Sequence, residues 1–145
     1  MSLSVKSINT HVARKILIVE DNLDLLSLLH RVLKAEGYEV IVAVNGEEAL
    51  IRVEDLPDLI LMDIRLPGEI DGLEAMRRLK ADPRFTQIPI VGMTAQLMEE
   101  KAIAGFNELL FKPIEVDHLI AIVERWVGRP QQKNQQERGT RSREG

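Results

Sequence analysis

KILIVEDN, residues 15–22, is an apolar run closed by two carboxylates and an amide, and its pattern recurs along the chain. LILM ends in Asp63, IPIVGM in Thr94 and LLF in Lys112. Short runs of this kind, separated by longer amphipathic segments, are the signature of βα units and a parallel sheet. Parallel strands bring their carboxyl ends to one side of the sheet, where open α/β sheets carry their ligands. Glu20, Asp21, Asp63, Thr94 and Lys112 are therefore expected together at one end of one sheet.

Working outward from these runs, the pattern predicts strands at 15–20, 38–43, 58–63, 88–93 and 109–112. Helices are predicted at about 23–36, 46–54, 71–81, 96–104 and 115–127. The first, third and fourth strands are almost wholly apolar, as central strands covered on both faces must be, whereas YEVIVA is mixed and belongs near an edge. The resulting fold is a five-stranded, doubly wound α/β sheet of order 2-1-3-4-5. In the first helix Leu25, Leu28, Leu29 and Val32 follow helical spacing, with Gly37 placed to end it in a left-handed cap. The last helix carries the same spacing in Val116, Leu119, Ile120, Val123 and Val127. That stripe leaves Ile122 and Trp126 as an apolar pair on the outer face, a surface that a partner could read.

Composition bounds the function. The 145 residues, 45% hydrophobic and 29% charged, suit one domain over 15–128. Residues 1–14 form an N-terminal extension. Residues 129–145 lack Val, Ile, Leu and aromatics and are expected to be a flexible polar tail. A net charge of −4 without a basic stripe argues against nucleic acid as a direct partner. With no cysteine, disulfides, thiolate metal sites and thiol nucleophiles are excluded. No run is long and apolar enough for a membrane span or a secretory signal, so cytoplasmic residence is expected.

A hard cation such as Mg²⁺ takes oxygen ligands and keeps several waters, so Glu20, Asp21 and Asp63 make a plausible site for it. Asp63 can also attack phosphorus as a carboxylate nucleophile, while Lys112 offers a cation and Thr94 a hydroxyl to the phosphoryl oxygens. Taken singly, each residue could be a helix cap or a strand exit. Their joint occurrence at four strand ends favours the shared site. A phosphatase with an Asp nucleophile would need a second Asp two residues on, but Arg65 stands there and cannot cycle a proton near neutral pH. EDNLDLL after the first strand is no glycine-rich nucleotide loop. A structural interaction module that is never phosphorylated is the remaining alternative.

With four motifs in order, KILIVEDN, DLILMDIRLPGEIDGLE, PIVGMTA and FKP, the chain from Lys15 to Gly128 resembles the receiver domain of two-component response regulators. The resemblance implies a flavodoxin-like fold and phosphotransfer to Asp63 from a histidine kinase or histidine phosphotransfer protein. It implies Mg²⁺ held by Asp21, Asp63 and the backbone carbonyl of Arg65, with Glu20 acting through a metal-bound water. Such a domain is no enzyme on external substrates, but a phosphoacceptor that promotes its own phosphorylation and dephosphorylation. It signals through protein contacts, to a downstream target or a second copy, on the face of the fourth helix, fifth strand and fifth helix. Three departures stand out. Leu109 occupies a position that is usually aromatic, so a ring-flip switch coupled to Thr94 cannot operate in its usual form. Thr94 to Lys112 is about one helical turn shorter than usual, which predicts a short or displaced fourth helix. LPGEIDG carries one residue more than the common turn, enlarging the loop beside the site.

Overall fold

The computed structural model describes residues 13–129. Residues 1–12 and 130–145, which hold nearly all of the expected extension and tail, lie outside the described residues. In chain order the elements are β1 (Lys15–Val19), α1 (Leu23–Ala35), β2 (Glu39–Ala43), α2 (Gly46–Arg52) with a 3₁₀ turn (Val53–Asp55), β3 (Leu59–Asp63), α3 (Gly72–Ala81), β4 (Ile90–Thr94), α4 (Glu100–Ile103), β5 (Glu108–Phe111) and α5 (Val116–Val127). All strand pairs are parallel and run β2-β1-β3-β4-β5, the doubly wound, flavodoxin-like order. Among the described residues no helix is long and apolar enough to cross a membrane.

Period-two alternation splits the core in two. Ile16, Ile18, Leu59, Leu61, Val91 and Met93 turn to one face, under α1 and α5. Leu17, Val19, Ile60, Met62 and Ile90 turn to the other, under α2 and α3. Covering on both sides is why every residue of β3 and β4 is buried, while edge strand β2 is mostly half-buried.

Local chemistry fixes the helix ends. Asn22 caps α1 by accepting from the Leu25 amide at 3.0 Å, and Asp71 caps α3 by accepting from the Glu74 amide at 2.9 Å. At the far end of α1 the Tyr38 amide donates to Leu33 O at 3.1 Å and the Gly37 amide to Lys34 O at 3.0 Å. This double closure needs a left-handed residue at Gly37, whose φ is 105°, so the expected cap is present.

Two expectations change. The fourth helix, expected over about 96–104, is, in keeping with the expected short or displaced helix, a single turn from Glu100 to Ile103, its start delayed by the bend at 95–96, where the Thr94 hydroxyl accepts from the Gln96 amide. The buried stripe of α5 is also rotated. Leu119, Ile122, Val123 and Val127 are buried, with Ile122 at 0% exposure, whereas Val116 is 40% exposed. Ile122 is thus core, and Trp126 packs partly buried beside it with its indole N–H donating to Glu108 Oε1 at 2.7 Å. Burying an Ile and a Trp removes more apolar area from water than burying Val116 and Ile120, and the indole finds its polar partner on β5. The outer apolar pair expected from the sequence therefore does not exist.

Candidate functional site

The site is built by strand ends. β1 ends at Val19, and the Glu20 amide extends the ladder by donating to Ala43 O at 3.0 Å. That turns the Glu20 side chain inward, to 1% exposure, while Asp21 stays exposed just before the cap of α1. Asp63 is the last residue of β3, paired with Met93 on β4 and 5% exposed. The next helix lies directly against this strand end. A Cβ on Gly72 would fall 2.1 Å from Asp63 O and 2.7 Å from Ile64 Cα, so only glycine lets α3 start there. Lys112 follows β5, and its amide donates to Thr94 O at 2.8 Å.

From that position the Lys112 side chain reaches across β4. Its Nζ lies 3.2 Å from Asp63 Oδ2 and 2.9 Å from Glu20 Oε1. Asp63 Oδ1 accepts from the Arg65 amide at 3.0 Å, and Glu20 Oε2 from the Asn22 amide at 3.0 Å. Oxygens of Glu20, Asp21 and Asp63 lie within 4.8 Å of one another. Of the sequence-predicted residues, Glu20, Asp21, Asp63 and Lys112 are brought into one cluster. Thr94 shares the sheet end, but its hydroxyl turns to Gln96, donating to Gln96 O at 3.0 Å and accepting from Gln96 N at 3.1 Å. Arg65 gives its amide to Asp63 and its guanidinium to Gln96 Oε1, at 2.7 Å.

Three carboxylates face one ammonium here, a formal surplus of two negative charges when all are ionised. Burial first, and then the Glu20 charge, push the Asp63 carboxyl up from 3.8 to about 6, although the Arg65 amide and Lys112 pull it down. Burial draws the Lys112 ammonium down, but the carboxylates of Glu20 and Asp63 outweigh it and the net shift is upward. Glu20 Oε1 is buried, and its close polar partner among the described residues is the Lys112 ammonium. Three carboxylates gathered around one ammonium leave a surplus of negative oxygen that fits a hard divalent cation.

Sequence reasoning missed Gln96 and Gly72. Gln96 carries no periodic signal, although a hydroxyl two residues earlier is a standard partner for a local turn. Gly72 follows Asp71, a capping residue, and the pair is the sequence trace of a helix that starts hard against a strand end.

The response regulator receiver domain model matches residues 16–124. The chain is 40% identical over 120 residues to the polar-differentiation response regulator DivK of Brucella anthropi, covering 79% of this chain and 97% of that protein. Among solved structures it is similar to a putative response regulator from Chloroflexus aurantiacus, with TM-score 0.74 and 36% identity over 81% of this chain and 100% of that one. It is also similar to the receiver domain of a sensor histidine kinase from Pseudomonas aeruginosa, with TM-score 0.74 and 33% identity over 81% of this chain and 99% of that one. That structure is described with a magnesium ion coordinated in its active-site cleft. With its four motifs in order, its sheet in the order 2-1-3-4-5 and a family match over most of its length, the chain belongs to the response regulator receiver domains.

Proposed function

We propose that this receiver domain takes a phosphoryl group onto Asp63 from a histidine kinase or histidine phosphotransfer protein, and signals in the cytoplasm through protein contacts. The observation that carries the reading is the placement of Asp63, a buried carboxylate at a central strand end, between an acidic pair and the Lys112 ammonium. In the transfer an Asp63 carboxylate oxygen bonds to phosphorus as the phosphorus–nitrogen bond of the donor phosphohistidine breaks, and the imidazole nitrogen leaves with the electron pair.

Each residue then has a separable task. Arg65 N–H and Lys112 Nζ hold the two oxygens of Asp63 and so fix the plane of the attacking carboxylate. Lys112 faces the phosphoryl oxygens with a cation, and Thr94 offers them a hydroxyl once it gives up Gln96 O. Asp21, Asp63 and the carbonyl of Arg65 would hold Mg²⁺, with Glu20 acting through a bound water. When bound, the ion screens the carboxylates from the incoming phosphoryl charge. The domain acts on its own carboxylate, without turnover of external phosphoesters. Its output face is α4, β5 and α5, read by a downstream protein or a second copy.

The test is labelling by a small phosphodonor such as phosphoramidate. With Mg²⁺ present one phosphoryl group is expected per chain, and Asp21→Ala or excess chelator is expected to slow labelling by about tenfold or more, the scale of a lost metal contact. Labelling at an unchanged rate in both cases contradicts the proposed ion site.

A further inference from the structure

Thr94 Oγ1 uses its donor and one acceptor position on a single neighbour, Gln96. The side chain of Gln96 is in turn held by Arg65 Nη2 at 2.7 Å, and the Arg65 amide donates to Asp63 Oδ1 at 3.0 Å. A run of hydrogen bonds and short backbone segments thus leads from the carboxylate of Asp63 to the hydroxyl of Thr94 without passing through Lys112. Asp63 and Thr94 are buried while Arg65 and Gln96 are exposed, so the run passes over the outside of the site. Leu109, packed into the core on the α3 side, has no polar atom with which to join it.

We infer that the Arg65–Gln96 bridge is a latch that keeps Thr94 turned away from the site until a phosphoryl group on Asp63 draws Arg65 off Gln96. The inference rests on the proposed role of Asp63 and deepens it. Arg65 is two residues from Asp63 and now binds a neutral amide oxygen. Anionic phosphoryl oxygens make stronger, charge-assisted bonds to a guanidinium, whose planar fork suits them. A ligand moves a two-state element only through its differential affinity for the two states. Here the phosphoryl group gains the guanidinium and the Thr94 hydroxyl only when the latch is open. Gln96 is then a positioning residue that acts through Thr94.

Beryllofluoride with Mg²⁺ is the probe, read by titration and by the backbone amides of residues 94 and 96 in NMR spectra. A closed latch lowers apparent affinity by the fraction of molecules that are open, so Gln96→Ala is expected to bind beryllofluoride about three- to tenfold more tightly. Its residue-94 amide should lie, without ligand, part-way to the ligand-bound position of wild type. Arg65→Ala opens the latch but loses the guanidinium, and should show no such gain. In a Thr94→Ala background the gain from Gln96→Ala should shrink below about twofold, since contacting groups couple in a double-mutant cycle. Gln96→Met, which keeps the length without the acceptor, replaces the alanine variant should that fail to fold. Equal affinity in wild type and the Gln96 variant, or an undiminished gain without Thr94, overturns the latch while leaving Asp63 in its role. If beryllofluoride does not bind wild type, or binds Asp63→Asn equally well, the role of Asp63 fails and the latch falls with it.

Discussion

Asp63 makes its environment measurable through pH. Its folded carboxyl sits at about 6, above the ordinary 3.8, so between these values the folded state holds more protons than the unfolded one. Stability from this group is full at low pH and is lost as pH rises through about 6. In metal-free buffer, Asp63→Asn should therefore be more stable than wild type at pH 8 and nearly equal to it at pH 4. The gain should be on the order of 1 to 3 kcal/mol, the upper figure being what a shift of about two units represents with the pull of Lys112 already included. Urea midpoints of both proteins at the two pH values check this, and a crossover in the opposite sense contradicts it. Lys112→Met removes the cation from Glu20 and Asp63, and should raise the Asp63 midpoint further in a carboxyl NMR titration. A lowered midpoint would mean that Lys112 does not govern the charge of the cluster. The shared site was legible in the sequence because Glu, Asp, Thr and Lys close four apolar runs jointly, although each alone could be a helix cap or a strand exit. The partner of Thr94 was not, since a glutamine in a loop leaves no pattern.

Element boundaries depend on packing that a linear pattern does not contain. Helix α3 begins where it does because Gly72 lies against the backbone of Asp63 and Ile64. Gly72→Ala puts a methyl into backbone atoms that cannot rotate away, and should cost about 3 kcal/mol by denaturant titration. A cost within a few tenths of wild type would show that α3 does not press on the strand end. On α5 the spacing of apolar residues permitted two stripes sharing Leu119, Val123 and Val127. The choice between them rested on the tertiary partner of the Trp126 indole, Glu108, which Arg125 also holds. Trp126→Ala is accordingly expected to destabilise the domain by about 2 to 3 kcal/mol, below the full cost of a wholly buried aromatic, and to do so without any partner present. A thermal midpoint equal to that of wild type would return Trp126 to the surface. The shortened α4 was legible from chain length between Thr94 and Lys112, while its start at Glu100 was not, because the Thr94–Gln96 turn delays it.

At the scale of the molecule, hydrophobicity favoured the strand order, since covered strands must be apolar on both faces, as β1, β3 and β4 nearly are and β2 is not. The parallel sheet then assembles the site without further instruction, since the ends of β1, β3 and β5 deliver four of the five expected side chains to one cluster and β4 places Thr94 at the same end of the sheet. The claim that this assembly exists to carry a phosphoryl group on Asp63 is tested most directly by locating the label. Wild-type protein treated with phosphoramidate and Mg²⁺, reduced with borohydride and digested, should yield a single modified peptide containing position 63, absent from Asp63→Asn. A modified peptide lacking residue 63, or undiminished labelling of Asp63→Asn, would contradict the account.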